Sequence, residues 1–295
     1  MHDVIVIGGS YAGMAAALQL VRARRSIHIV DAGQRRNRFA AHSHGFLGQD
    51  GVDPAEIWAT ARRQLEAYPT LRWTEGRVVA ASGDKDHFEV TLGNGDVLSG
   101  RRLLFATGVA DQLPPVPGMA ERWGRSVFHC PYCHGYELHQ GRIAVIATGP
   151  NSIHQAQLLP EWGQVTFFTN GSITLDDDAR QSLAERSVQI EETRIDRLDG
   201  EADIVLTDGR VLSFVGMFTA PACAPASKVP EAMGCELMET PMGIQIRTND
   251  AKQTSLPGVY ACGDVARAPH SVSLAVGDGA WAGAQLHRSL VWPDS

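Results

Sequence analysis

The first thirty-one residues constrain the fold more than any other stretch. Residues 3–7, Asp-Val-Ile-Val-Ile, form a short apolar run that reads as a strand buried on both faces. Gly8-Gly9-Ser10-Tyr11-Ala12-Gly13 follows, then an Ala- and Leu-rich stretch that predicts a helix to about Arg24. A second apolar run, Ser26 to Val30, ends in Asp31. Strand, glycine-rich turn, helix, strand and terminal acid in this order are the βαβ unit of a dinucleotide-binding fold. Gly8 permits the tight turn, and Gly13 lets helix and strand pack closely. Ser10 stands at the middle glycine position, small enough for a pyrophosphate to reach the helix N-terminus. Asp31 lies where a carboxylate binds ribose hydroxyls. Arg35 and Arg36 read as adenine-side or surface contacts, because Asp31 would repel a ribose 2′-phosphate.

Further along, a helix is predicted from Pro54 to about Tyr68, then short strands with turns at Gly83–Asp86 and Gly93–Gly95. Arg102 to Phe105 reads as a buried strand ending in Ala106-Thr107-Gly108, and Pro114-Pro115-Val116-Pro117-Gly118 breaks regular structure as a crossing between domains. A second strand–turn–helix start follows: Arg142 to Ile146, Ala147-Thr148-Gly149-Pro150-Asn151-Ser152, then a helix from Ile153. The chain thus carries two Rossmann-type beginnings. Thr240–Gly243 reads as the return crossing, leading back to the stretch Leu256 to Asp264, and Ser273 to Leu290 reads as the last helix.

Between the two beginnings lies Cys130-Pro131-Tyr132-Cys133-His134-Gly135. Two cysteines at this spacing can close a small disulfide ring and act as a two-electron switch. If the segment opens a helix, the N-terminal dipole and a neighbouring base lower one thiol's pKa. Three other readings stay open at this point. The pair could be half of a zinc site, although only His139 is near to help complete it. Cys-x-x-Cys-His is also the attachment signature of c-type haem, which requires export, and no export signal is expected at the N-terminus. The pair could also be inert buried thiols. Cys223, Cys235 and Cys262 are expected as small buried hydrophobes.

Composition bounds the partners. The net charge of −7 argues against nucleic acid and anionic membranes, and the arginine clusters at 22–25 and 35–38 are local. The 44% hydrophobic content supports large cores, yet no apolar run reaches the length of a membrane span. Five cysteines with a single close pair point to the cytoplasm.

Along essentially its whole length the sequence resembles the low-molecular-weight thioredoxin reductase class of flavoproteins. The glycine turn with Asp31, Ala106-Thr107-Gly108, the cysteine pair before a second glycine-rich turn, and Gly263-Asp264 before the last helix carry the resemblance. It implies an α/β fold of two Rossmann-like three-layer domains, the second inserted in the first. Residues 1–112 and 244–295 would bind FAD, and residues 113–243 would carry the redox pair. Gly8, Ser10, Gly13, Asp31, Ala106, Thr107, Gly108 and Gly263 would contribute to the FAD site. Asp264 would hold the ribitol, and the start of the last helix, around Ser271 to Leu274, would point its dipole at the flavin. No metal is expected. A homodimer is what the family implies.

Two departures redirect the function. Ala147 replaces the first glycine of the second turn, and Thr169-Asn170-Gly171 replaces the basic run that grips the 2′-phosphate of NADPH, so the nicotinamide site looks lost. Cys130 to Glu137 is similar to the Cys-Pro-x-Cys-His-Gly-Tyr-Glu of FAD-dependent dithiol oxidases of the gliotoxin and holomycin type, as is the loop His42 to Gly51. His42 and His44 in that loop are expected to face solvent. The resemblance implies a dithiol oxidase that forms a disulfide in a small molecule or peptide, with dioxygen as acceptor and hydrogen peroxide as product. Cys130 would meet substrate, Cys133 would face the flavin, and His134, titrating near neutrality, would move the thiol proton. The alternatives are a disulfide reductase fed by NADPH or ferredoxin, and a flavin-bound sensor without turnover.

Overall fold

The computed structural model describes residues 1–293, so the last two residues of the expected C-terminal segment lie outside the described residues. The strands β1 (His2–Ile7) and β2 (Ile27–Asp31) run parallel, with α1 (Tyr11–Arg22) between them. Asp53 starts α2 (Pro54–Glu66) by accepting a hydrogen bond from the Ala55 N–H, and Pro54 supplies a preset φ at the first helical turn. Next come β3 (Leu71–Glu75), β4 (Val78–Asp84), β5 (His87–Leu92) and β6 (Val97–Phe105). The sheet order is β3-β2-β1-β6-β5-β4. Side-chain alternation along β1 builds both faces. Val4 and Val6 pack with Ile27, Ile29 and the helices, whereas Ile5 and Ile7 pack with Val30, Leu103 and Phe105.

From β7 (Val109–Gln112) the chain crosses through the proline-rich stretch to α3 (Met119–Arg122), β8 (Val127–Phe128) and the one-turn helix α4 (Pro131–His134). A second three-layer unit follows, with β9 (Arg142–Ile146), α5 (Asn151–Leu158), β10 (Gln164–Phe168), α6 (Asp177–Glu185) and β11 (Gln189–Glu191). The meander β12 (Ile195–Asp199), β13 (Asp203–Leu206) and β14 (Val211–Ser213) leads to β15 (Gly216–Thr219). Its parallel sheet has the order β11-β10-β9-β15-β8. Ile143, Val145, Phe167 and Phe218 face Ala156 and Leu183 of the helices, while Ala144, Ile146, Phe168 and Met217 face Ile204 and Leu206 of the meander.

The chain then runs through β16 (Ala222–Pro225), α7 (Val229–Met233), β17 (Leu237–Thr240), β18 (Gly243–Ile246), β19 (Val259–Ala261) and α8 (Val272–Val291). Here one expectation needs correction. The sequence puts the return at residue 243, but β16 already pairs with β7, and Val229 and Cys235 pack with Ile5, Phe105 and Ile246 of the first unit. Thr240 to Gly243 is the turn of the β17–β18 hairpin, not a crossing. By these partners the return falls at about Pro221. β19 pairs with β6 and brings the Gly263-Asp264 turn beside the first glycine turn. α8 lies on α1 with almost no separation, since a Cβ at Gly279 or Gly283 would fall 2.1 Å or 2.5 Å from the backbone oxygens of Ala12 or Ala16. Among the described residues no helix is long and apolar enough to cross a membrane.

Candidate active site

The first glycine turn is fixed by close backbone contacts. Gly8 has φ +109°, and a Cβ there would lie 2.3 Å from the Ala106 carbonyl oxygen. One at Gly13 would lie 1.9 Å from the Gly8 oxygen. Ser10 begins α1 in an extended conformation and its side chain makes no cap bond, so its hydroxyl is left for a ligand. Asp31 ends β2 and accepts a 3.0 Å hydrogen bond from the Gly9 N–H. Its cavity is lined by Arg35, Trp58, Arg62 and Arg77, with Arg35 5.2 Å above the Trp58 ring.

A larger cavity of about 550 Å³ runs from Ser10 past Ala106, Thr107, Gly108, Gly263 and Asp264 to the cysteine motif. Among its lining residues, Arg35 Nε, Asn37 Oδ1, Thr107 Oγ1 and Asp264 Oδ1 are buried and without a hydrogen-bond partner. Buried polar atoms are nearly always satisfied in native proteins, so four orphans around one cleft mark the wall of a polar ligand. These donors and acceptors fit FAD. Ser271 caps α8 by accepting from the Leu274 N–H (3.1 Å), and Ser271, Val272 and Ala275 present the start of that helix to the same cavity.

Arg36 departs from the adenine-side or surface contact expected of it. Its side chain is 17% exposed and its guanidinium donates to Asp111 (2.5 and 3.0 Å), to Asp264 Oδ2 (3.1 Å) and to His270 Nδ1 (2.8 Å). Burial opposes its charge, but Asp111 and Asp264 outweigh that and hold it protonated. Arg36 therefore fixes Asp264 through Oδ2 and leaves Oδ1 without a partner. Nothing local in the sequence marks this, since its partners come from β7 and the Gly263 turn.

Cys130 and Cys133 form a disulfide, with Cα atoms 5.3 Å apart. Cys133 and His134 line the cavity. Among the described residues no group of His, Cys, Asp and Glu is arranged to hold a metal. The expected helix contribution is small, because α4 is four residues long and a dipole grows with length. His134 stacks on Phe128 with ring centroids 4.2 Å apart. Burial, and then the neighbouring His44, push its pKa down to about 4, so it is a neutral imidazole at pH 7 and not a group poised near neutrality. It can accept a proton, most readily beside a newly formed thiolate, which counters the burial. Burial likewise pushes His129 down to about 3.

His42 is exposed, its Nδ1 3.1 Å from the Gly51 carbonyl oxygen. His44 corrects the solvent-facing expectation. Its side chain is mostly covered, and its ring lies 3.5 Å from Asp50 Oδ1 and 3.4 Å from Glu137 Oε1. Cys223, Cys235 and Cys262 are buried free thiols. Burial pushes Cys223 up to about 12, which leaves it protonated and unreactive.

The polar groups of the second turn already have partners within the protein. The Thr148 N–H donates to Ser152 Oγ (2.9 Å), Thr148 Oγ1 donates to the Ala220 carbonyl (2.6 Å), and the Asn151 amide donates to the Pro241 carbonyl. At the end of β10, Asn170 Oδ1 accepts from the Ile195 N–H (3.0 Å). One basic group escaped the sequence reading: Arg194 lies against Gly171, brought there by β12.

A three-layer nucleotide cradle whose cavity ends at a Cys-x-x-Cys disulfide defines a flavin-dependent disulfide oxidoreductase. The chain belongs to the pyridine nucleotide-disulphide oxidoreductase family, whose model matches residues 2–279, and like its thioredoxin reductase-like relatives it is an FAD-binding flavoprotein. It is similar to an oxidoreductase from Agrobacterium tumefaciens, with 56% identity over 99% of both chains and a TM-score of 0.97. HlmI is 36% identical over 98% of this chain and 92% of its own, with a TM-score of 0.91. Thioredoxin reductase tcpT of Claviceps purpurea is 32% identical, covering 98% of this chain and 94% of the relative.

Proposed function

We propose that the protein is a dithiol oxidase. The observation that carries this reading is the pairing of an open cavity bearing Cys133 and His134 with a second nucleotide turn whose Thr148, Asn151 and Ser152 already have hydrogen-bond partners within the protein. A substrate thiolate attacks Cys130 Sγ, the Cys130–Cys133 bond breaks, and a mixed disulfide forms with Cys133 released as thiolate. The second substrate thiol attacks the substrate sulfur of that mixed disulfide and releases Cys130. The substrate leaves as a disulfide, and the cysteine pair has gained two electrons and two protons. FAD held in this cradle would supply the two-electron acceptor for the pair and a route to dioxygen, with hydrogen peroxide as the product and the cysteine disulfide restored.

His134 takes and returns the proton at Cys133 Sγ. Phe128 fixes the ring plane and helps keep water away from it. Ser10, Asp31, Thr107 and Asp264 bind and orient the cofactor. The dithiol is a small molecule or a peptide, and the working form is a cytoplasmic homodimer, the first from cysteine usage and the second from the family.

Oxygen uptake by the FAD-loaded enzyme with dithiothreitol, and no nicotinamide present, tests the reading. Uptake with stoichiometric peroxide is expected. No uptake with a dithiol, but rapid disulfide reduction fed by NADPH or reduced ferredoxin, would make the protein a reductase instead.

A further inference from the structure

The loop over residues 42–51 is anchored to the first unit. Ser43 bridges Val52, and Ser273 Oγ at the start of α8 donates to the Gly45 carbonyl (2.8 Å). The Gly45 N–H donates to Asp50 Oδ1 (2.8 Å), which sets Asp50 beside His44. The cysteine motif belongs to the inserted unit, and Glu137 sits in the 3-10 turn that follows His134. His44 joins the two, with Nδ1 3.5 Å from Asp50 Oδ1 and Nε2 3.4 Å from Glu137 Oε1.

Among the described residues, two polar side-chain contacts connect the units: His44 to Glu137, and Asn151 to the Pro241 carbonyl. The second contact lies at the second nucleotide turn. The first lies on the cysteine motif itself, and His44 lines the same cavity as Cys133 and His134. Two chain crossings join the units, and units joined this way can reorient unless further contacts fix them.

We propose that the His44–Glu137 bridge is the positioning contact that holds Cys133 against the flavin cavity. His44 and Glu137 are then positioning residues. They act on transfer of electrons out of the reduced pair, not on capture of substrate at Cys130. The chemistry rests on the dithiol-oxidase reading, whereas the bridge itself rests on geometry alone. A polar contact of this exposure shifts an equilibrium by up to roughly fivefold, which sets the scale of the effect.

The test uses Glu137→Gln, His44→Gln and His44→Arg in the FAD-loaded protein. Amide hydrogen exchange on the oxidised protein, without substrate, is expected to rise over residues 42–51 and 130–138 together in both Gln variants. Anaerobic mixing with dithiothreitol, with thiols alkylated at intervals, separates opening of the disulfide from bleaching of the flavin. Opening should keep its wild-type rate, bleaching should slow by about three- to fivefold, and His44→Arg, which keeps a donor for Glu137, should recover most of the loss. Unchanged exchange and bleaching, or equal slowing of both steps, would overturn the proposal. If dithiothreitol fails to bleach even the wild type, the oxidase reading fails, and the exchange data alone decide the bridge.

Discussion

At the first glycine turn, Ser10 has a free hydroxyl, and Asn37, Thr107 and Asp264 carry buried atoms with no partner. At the second, Ser152 occupies the Thr148 N–H, Thr148 occupies the Ala220 carbonyl, and Asn151 and Asn170 are bonded to neighbouring backbone. Both turns follow a buried parallel strand and open a helix. They differ in what their polar groups still need. A turn with unmet hydrogen bonds favours a ligand, whereas a satisfied one must break bonds before it can bind, and each broken bond in a buried site costs about 1–3 kcal/mol. On the proposed reading, one architecture serves once as a cofactor cradle and once as a scaffold that carries a disulfide to that cradle.

The largest expected effect comes from the cysteines. Cys133→Ser should abolish dithiol-driven flavin bleaching and trap a mixed disulfide on Cys130, seen by mass spectrometry. Cys130→Ser should leave Cys133 as a thiolate beside the flavin, with a long-wavelength absorption band. A band in the Cys133→Ser protein would reverse the two roles.

Next, His134→Ala should slow turnover by ~10²–10⁴ with unchanged flavin content, the range for loss of general acid–base help. The same residue ties stability to pH. Its folded pKa of about 4 lies below the ordinary 6.5, so the fold disfavours the protonated form. Its contribution is complete above about 6.5 and is lost as pH falls toward 4. The thermal midpoint of the wild type should therefore drop more steeply over that window than that of His134→Ala. Parallel curves would mean that another group accounts for the acid loss.

Asp31→Ala should weaken FAD binding by ~1.5–3 kcal/mol, about ten- to a hundredfold, through lost charge-assisted hydrogen bonds. Titration of the apoprotein reads this directly, and unchanged affinity would place the ribose elsewhere. The smallest effect is at the second turn. Ser152→Ala should lower stability by about 1–3 kcal/mol, because the Thr148 N–H loses its partner, without creating measurable NADPH binding. If calorimetry found micromolar NADPH binding in that variant, the self-capping would be what blocks the site.

Much of this difference could be read in the sequence because it is local. The spacing of Gly8, Ser10 and Gly13, the acid at Asp31, the cysteine motif and the substitution at Ala147 all lie within single strand–turn–helix segments. What escaped comes from distant partners. Arg36 meets Asp264 and His270 only after the whole inserted unit has intervened, and Arg194 reaches Gly171 only through the β12 meander. The β17–β18 hairpin looked like a crossing because its turn residues, Pro241 and Gly243, also suit a linker. His44 was read from its loop, where exposure is the norm, but Glu137 of the other unit covers it. The near-neutral titration expected of His134 failed for the same reason, since burial is a property of the assembled cavity.

Anaerobic stopped-flow mixing of the oxidised holoenzyme compares the two turns most directly. A dithiol should bleach the flavin absorbance within the time of turnover, and NADPH at the same concentration should leave it yellow. Rapid, saturable bleaching by NADPH would contradict the account and make the second turn a working nicotinamide site.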